Sequence, residues 1–204
     1  DMALSRTQVI NRALQLIAAD TISDPDEDTT RARTAKLEYD AVVRAELSAY
    51  PWYFAKKQAQ IAQDADAPLF KYAYAFTLPT DFMRLVEMED RWVFSVDRAT
   101  QDTNPIPPYE MQGRSLLTDM TAPLRIGYVR DLTDEPTLWH PLFEEVVVAA
   151  LAAALANPLA KSMSTVEAML KLRRLKVTEA RRVNAIQQPP KHIPDGSWMV
   201  ARIY

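Results

Sequence analysis

The hydrophobic residues of the N-terminal region first recur at helical spacing shortly after the start of the chain. Ser5 and Gln8 match the capping box that begins a helix. An apolar stripe follows at intervals of three and four, formed by Val9, Ile10, Ala13, Leu14 and Ile17. These features together predict a first helix over residues 5–19.

A second helix is predicted over residues 26–49, after an acidic and turn-rich segment. Its buried stripe would consist of Ala32, Ala35, Tyr39, Val42, Val43, Glu46 and Leu47. Glu46 is a polar residue in an otherwise largely apolar stripe. Pro51 ends the helix, because the residue before a proline disfavours the α region.

Residues 56–132 change to an alternation of apolar and polar positions, which predicts an antiparallel β-module. Gln112, Gly113 and Arg114 would form the turn of a hairpin, and residues 92–96 are a short predicted strand. The polar, proline-rich stretch 97–108 is predicted to project as a contact loop. This loop includes Asn104, Pro105, Ile106 and Pro107.

Helical patterns return after Leu132. Residues 139–156 are apolar almost all round, which predicts a helix that is buried on most sides. A last helix is predicted over residues 164–187, opened by a capping pattern of Ser164 and Glu167. Its surface would be basic, with Lys171, Arg173, Arg174, Lys176, Arg181 and Arg182.

The C-terminal segment, residues 188–204, contains prolines and a glycine that exclude a long helix. It is nevertheless rich in large apolar side chains, namely Ile193, Trp198, Met199, Val200, Ile203 and Tyr204. An extended arm that docks onto another surface is the prediction that accounts for both features.

These elements together predict an α+β fold. Residues 1–55 and 133–187 would form a four-helix bundle, residues 56–132 an inserted antiparallel β-module, and residues 188–204 an extended C-terminal docking arm.

The composition narrows the classes of function. Apolar residues make up 48 % of the 204 residues, which is enough for a substantial core. The formal net charge of −3 lacks the basic excess typical of a DNA-binding domain. The absence of cysteine excludes disulfides and thiolate chemistry, and two histidines nearly exclude a multi-histidine metal site. No signal peptide or membrane-spanning run is predicted, so we expect a soluble intracellular product.

One acidic pattern approaches a calcium loop. Asp24, Asp26 and Asp28 have the required spacing, but Thr29 stands where the turn glycine belongs and Ala35 where the bidentate glutamate belongs. These acids are therefore interpreted as helix-capping residues.

No catalytic constellation is predicted. The three glycines form no phosphate-binding loop. Glu144 and Glu145 could act as an acid/base pair in principle, but solvated carboxylates on a helix surface are the commoner case. We therefore expect no enzyme activity, no metal site and no cofactor.

The stretch "AYPWYFAKKQA", residues 49–59, places four aromatic residues around a proline. Rings at the end of a helix usually anchor it in a core. A base-stacking surface would have more interleaved basic residues than Lys56 and Lys57. A core role is the preferred interpretation.

The basic face of the last helix is the one candidate for nucleic-acid contact. Its candidate contact residues are Arg173, Arg174, Arg181 and Arg182. They could follow phosphates or meet an acidic patch on an adjacent protein subunit. The second option is favoured because acidic residues outweigh basic residues in the whole chain.

Three ordered motifs resemble those of the tail tubular protein A family, the head-to-tail adaptors of short-tailed bacteriophages (podoviruses). The first motif comprises Pro51, Trp52, Phe54, Ala55 and Lys57. The second comprises Leu78, Pro79 and Asp81, and the third is the alanine-rich helix that ends at Pro158. The resemblance covers about residues 3–187.

The resemblance implies a virion protein without enzymatic turnover. Adaptors of this family form a dodecameric ring between the portal protein and the tail nozzle protein, and the ring extends the channel for genomic DNA without binding it specifically. The C-terminal arm would dock on the portal, and the loop containing residues 104–107 would contact the nozzle. Assembly would take place in the host cytoplasm. The alternative is a nucleic-acid-binding module that uses the basic last helix.

Overall fold

The computed structural model describes residues 5–89, 91–92 and 108–187. The predicted docking arm and residues 104–107 of the predicted contact loop lie outside the described residues, as do residues 93–96 of the predicted strand. The described residues combine α-helices with antiparallel sheets, so the predicted α+β class is confirmed.

The chain divides into two compact units. Among the described residues, 5–55 and 131–187 belong to the first unit and 56–130 to the second. The first unit contains four helices: α1 (Arg6–Leu16), α2 (Thr30–Ala49), α3 (Pro141–Leu155) and α4 (Met163–Ile186). Short 3₁₀ turns cover Tyr53–Ala55 and Pro136–Leu138.

Helix α3 is the centre of the first unit, because it packs against α1, α2 and α4. Its side chains are apolar almost all round, as the sequence predicts, and most of them are buried. By length and composition the segment Pro141–Ala160 could cross a membrane, but 61 % of it is buried inside the protein. A core helix of a folded protein has the same properties.

Local capping determines where the helices begin. The predicted capping box of α1 is confirmed: Ser5 Oγ accepts from the Gln8 N–H at 3.2 Å, and the Ser5 N–H donates to Gln8 Oε1 at 2.9 Å. The predicted start of α2 at Asp26 is wrong, because Thr29 caps the helix by accepting from the Ala32 N–H. The predicted cap of α4 is also wrong by two residues, since Ser162 and not Ser164 accepts from the N–H of the first turn.

The helical path continues beyond the end of α3. In place of the helix end expected at Pro158, a π-helical turn covers Ala156–Ala160. A proline has no N–H to donate, and the widened turn accommodates it. Lys161 then adopts a left-handed conformation with φ of 51°, which ends the helical path.

The described residues of the second unit form antiparallel strands, as the alternating pattern predicts, and these strands lie in two sheets. The strands are β1 (Lys56–Ile61), β2 (Tyr74–Thr77), β3 (Phe82–Met88), β4 (Arg91–Trp92), β5 (Tyr109–Gln112), β6 (Ser115–Thr118) and β7 (Leu124–Arg130). The strand order is β1-β7-β3-β4 in one sheet and β2-β6-β5 in the other. Gly113 has φ of 59° in the tight β5–β6 turn, which confirms the predicted hairpin.

Both sheets of the second unit contribute to one apolar core. Phe76 and Leu116 come from the smaller sheet, while Leu85, Leu124 and Tyr128 come from the larger one. Each of these side chains is buried. The two sheets are therefore held together mainly by apolar contact.

Candidate functional site

Helix α4 carries most of the side chains that the sequence marks as candidates for contact. Of its 24 residues, all within the described part of the chain, Ala180 and Asn184 are buried. Its exposed large apolar side chains are Met163, Leu170, Leu175 and Ile186. Its exposed basic side chains are Lys171, Arg174, Arg181 and Arg182. The helix thus presents an outer face that is both apolar and basic.

Arg173 is separated from the other three arginines by its role inside the protein. Its Nε donates to Glu46 Oε1 on α2, and Glu46 is only 4 % exposed. Glu46 is the polar residue of the predicted buried stripe, and the structure shows that Arg173 neutralises it. A buried carboxylate without a cation is strongly unfavourable, so Arg173 supports the packing of α4 on α2.

Arg181 is used in part within the same unit. Its guanidinium lies over the Tyr50 ring at 5.1 Å from the centroid, a cation–π contact. Arg174 and Arg182 are exposed. Helical spacing places Arg182 on the same side of α4 as Lys171 and Leu175. The surface left for a partner is thus centred on these residues and Arg174.

The adjacent acids Glu144 and Glu145 take part in an ion-pair network. Arg12 of α1 donates to both carboxylates, and Lys176 of α4 lies 3.4 Å from Glu145 Oε2. Burial raises the pKa of Glu145, but the hydrogen bond from Arg12 and the charges of Arg12 and Lys176 outweigh this effect and lower it. This arrangement stabilises the ionised form of the Glu145 carboxylate. The resulting ion pairs connect α1, α3 and α4.

The aromatic cluster after α2 packs into the core, which confirms the preferred interpretation. Trp52 is 2 % exposed, and its Nε1 donates to the Glu46 carbonyl at 2.8 Å. Its ring meets Phe143 of α3 edge-on at 5.1 Å between centroids. The Tyr53 N–H donates to Asn184 Oδ1 on α4 at 2.8 Å. The cluster therefore fixes the end of α2.

His140 also has a structural position. Its Nδ1 accepts from the Leu142 N–H at 3.2 Å and so caps the start of α3. Its ring contacts Tyr53 edge-on, with 5.7 Å between the ring centroids.

Lys57 of the first resemblance motif meets Asp81 of the second motif in the second unit. Lys57 Nζ lies 2.7 Å from Asp81 Oδ2, and the Tyr128 hydroxyl donates to Asp81 Oδ1 at 2.8 Å. Burial raises the pKa of Asp81, but the hydrogen bonds from Lys57 and Tyr128 outweigh this effect and lower it. Asp81 thereby connects β1 to β7 at the point where β3 begins.

Sequence reasoning missed a prominent apolar feature of the second unit. Leu69 is 99 % exposed and Phe70 is 75 % exposed, in the loop between β1 and β2. They border a groove of about 500 Å³, whose lining includes Ala75 and Leu117. The available signal was two large apolar residues after Pro68 in a segment without strand alternation.

The interpretation of the acids before α2 as helix-capping residues is wrong, because Thr29 caps the helix and the acids lie in ion pairs and turns. Asp28 pairs with Arg33 at 3.2 Å, Asp26 pairs with Lys36, and Asp24 accepts from the Asp26 N–H. In the part of the chain that the structure describes, no group of three or more histidines and acids is arranged to hold a metal ion.

Comparisons with known proteins leave the family open. No protein-family model matches the sequence, and no curated protein matches it.

The buried charge of Glu46 generates the first prediction. We expect Arg173→Ala to lower the free energy of unfolding by about 1–3 kcal/mol, because the Glu46 carboxylate loses its cation. Urea denaturation followed by circular dichroism measures the change. Arg174→Ala is the matched control, since Arg174 is exposed, and we expect it to stay within about 0.5 kcal/mol of the original protein.

A double substitution separates the charge from the packing. Arg173→Ala combined with Glu46→Gln should be less destabilised than the sum of the two single variants. Additive losses would show that the pair is not coupled.

The lowered pKa of Glu145 generates a prediction about pH. The ionised form is favoured in the folded state, so its contribution is present above the pKa of the unfolded chain and disappears as the pH falls through the folded pKa. We expect Glu145→Gln to destabilise the protein at neutral pH by about 0.5–1 kcal/mol. The difference should shrink on acidification.

The control for this measurement is Glu167→Gln, because Glu167 is exposed on α4. Urea denaturation at neutral and at acidic pH gives both differences. A difference for Glu145→Gln that stays constant on acidification would contradict the assigned role of its charge.

Proposed function

We propose that this chain is a structural head-to-tail adaptor of a short-tailed bacteriophage. Copies of it would form a dodecameric ring between the portal protein and the tail nozzle protein. The ring would extend the channel through which genomic DNA passes without specific binding. In this proposal the helices of the first unit act as a four-helix bundle, and the protein is part of the virion after assembly in the host cytoplasm.

The observation that carries the proposal is the outer face of α4. Met163, Leu175 and Ile186 are 67 %, 70 % and 74 % exposed on one helix. Leu175 and Ile186 are eleven residues apart and therefore lie on the same side of α4. Exposed apolar side chains on one side of a helix favour contact with another protein. A ring subunit needs such surfaces, because each copy must cover and be covered by its neighbours.

The order of the motifs gives further support. The proline–tryptophan motif and the leucine–proline–aspartate motif meet through Lys57 and Asp81. The two motifs are therefore in contact in the folded chain. The resemblance to the adaptor family rests on that order.

A role without catalysis fits the environment of the ionisable candidates. Glu144 and Glu145 bind Arg12, and His140 caps α3. In the proposed role these groups stabilise the fold and act on no substrate.

The adaptor proposal predicts attachment to the portal of the same phage. We expect the full chain to bind purified portal rings and to add a ring of density in electron micrographs. Light scattering should show the matching gain in mass. Deletion of residues 189–204 should abolish attachment and leave the circular dichroism spectrum unchanged, because the proposal assigns docking to the arm.

Two outcomes separate the parts of this prediction. A full chain that stays monomeric beside portal rings would exclude the adaptor role. A truncated chain that attaches as tightly as the full chain would exclude the assigned role of the arm alone.

Nucleic-acid binding is the second candidate, and the exposure of Lys171, Arg174 and Arg182 favours it. It predicts salt-dependent binding of duplex DNA. The slope of the logarithm of the binding constant against the logarithm of the salt concentration should fall in magnitude by about two when Arg174 and Arg182 are both replaced by alanine. Fluorescence anisotropy with labelled DNA measures both quantities. The absence of binding at low salt would exclude this candidate.

A further inference from the structure

The groove of the second unit has an apolar floor and an apolar rim. Ala75 of β2 and Leu117 of β6 line it and are 8 % and 6 % exposed. Leu69 and Phe70 also line it and are among the most exposed large apolar residues of the described chain. Its volume of about 500 Å³ is large enough to receive several side chains of a partner.

The loop that carries this rim is anchored near both ends. Asp64 accepts from the Thr77 N–H at 3.1 Å and from the Thr77 hydroxyl at 3.0 Å. At the other end, Asp119 Oδ1 accepts from the Ala73 N–H at 2.9 Å. Because both ends of the loop are anchored, less conformational entropy is lost when its apolar residues bind a partner than for a loop without these contacts.

The charges of the groove are mainly negative. Its lining contains Asp64, Asp66 and Glu110 against the single cation Lys71. Lys71 also pairs with Glu110 at 2.5 Å, which neutralises part of the rim. Asp66 is exposed beside the apolar side chains. A partner with both basic and apolar residues would therefore complement the groove.

The outer face of α4 has these properties. Leu175 lies one turn after Lys171, and Arg174 lies one turn after Leu170. All four side chains are exposed. The helix is convex where the groove is concave, and an amphipathic helix in an apolar groove is a recurring mode of protein recognition.

We propose that the groove of one copy receives the outer face of α4 from a second copy. Leu175 would pack against Leu69 and Phe70, and Arg174 would face the acidic side that includes Asp66. The groove and the helix are different surfaces, so the contact is heterologous. Each copy can bind one neighbour through its groove and another neighbour through its α4. The inference rests on the proposed ring, since repetition of this contact generates a ring or an open chain.

Disulfide trapping tests the contact directly, because the chain contains no cysteine. One preparation carries Phe70→Cys and the other carries Leu175→Cys, and the two full-length proteins are mixed under mild oxidation. The control pair combines Phe70→Cys with Leu37→Cys, since Leu37 is 75 % exposed on α2. We expect the 70–175 dimer to form about tenfold faster than the 70–37 dimer.

A charge reversal tests the orientation of the helix. Adding Arg174→Glu to the Leu175→Cys chain should slow cross-linking about two- to fivefold, and Asp66→Lys in the other chain should restore part of the rate. Equal rates for the 70–175 and 70–37 pairs would overturn the contact and would leave another protein as the occupant of the groove.

The test distinguishes this contact from the adaptor role. Portal-bound rings that persist with both Phe70→Asp and Leu175→Asp would overturn the contact while the adaptor role stands. Specific 70–175 cross-links in a chain that never attaches to portal rings would support the contact and exclude the adaptor role.

Discussion

The first unit depends on the burial of α3. A helix that is apolar on nearly every side is stable in water only when other elements cover it. Helices α1, α2 and α4 supply that cover. The buried carboxylate of Glu46 is tolerated in this packing because Arg173 reaches it from α4. The same packing uses one side of α4 and leaves its other side exposed.

In the second unit, apolar burial and one polar junction have separate roles. The shared core joins the sheets but is not directional. The contacts of Asp81 with Lys57 and Tyr128 are directional, because hydrogen bonds to a carboxylate require a defined geometry. They fix the start of β3 relative to β1 and β7. This explains how residues of two motifs that are separated along the chain depend on each other in the fold.

Local chemistry made part of this structure predictable from sequence. The capping box at Ser5 and the Gly113 turn depend on neighbouring residues, so their patterns were sufficient. Helix starts near Ser162 were less predictable, because two serines compete for one position. The partner of Glu46 lies 127 residues away along the chain. The helical period of the apolar residues predicts that the Glu46 side chain is buried, but it does not predict which cation neutralises it. The exposure of Phe70 was not predicted, because apolar residues in a loop follow no periodic pattern that would show which of them are buried.

The distribution of exposed apolar residues connects the two units with the proposed assembly. One leucine is 99 % exposed, and α4 carries several exposed apolar residues. In a monomer these side chains contribute no hydrophobic stabilisation, because they remain in contact with water. Basic residues accompany the exposed apolar side chains of α4, whereas acids accompany Leu69 in the groove. Like surfaces would repel each other, so two copies are not expected to pair groove to groove or helix to helix. Opposite charges on two different surfaces favour an asymmetric contact, and an asymmetric contact between identical copies is the kind that a ring requires.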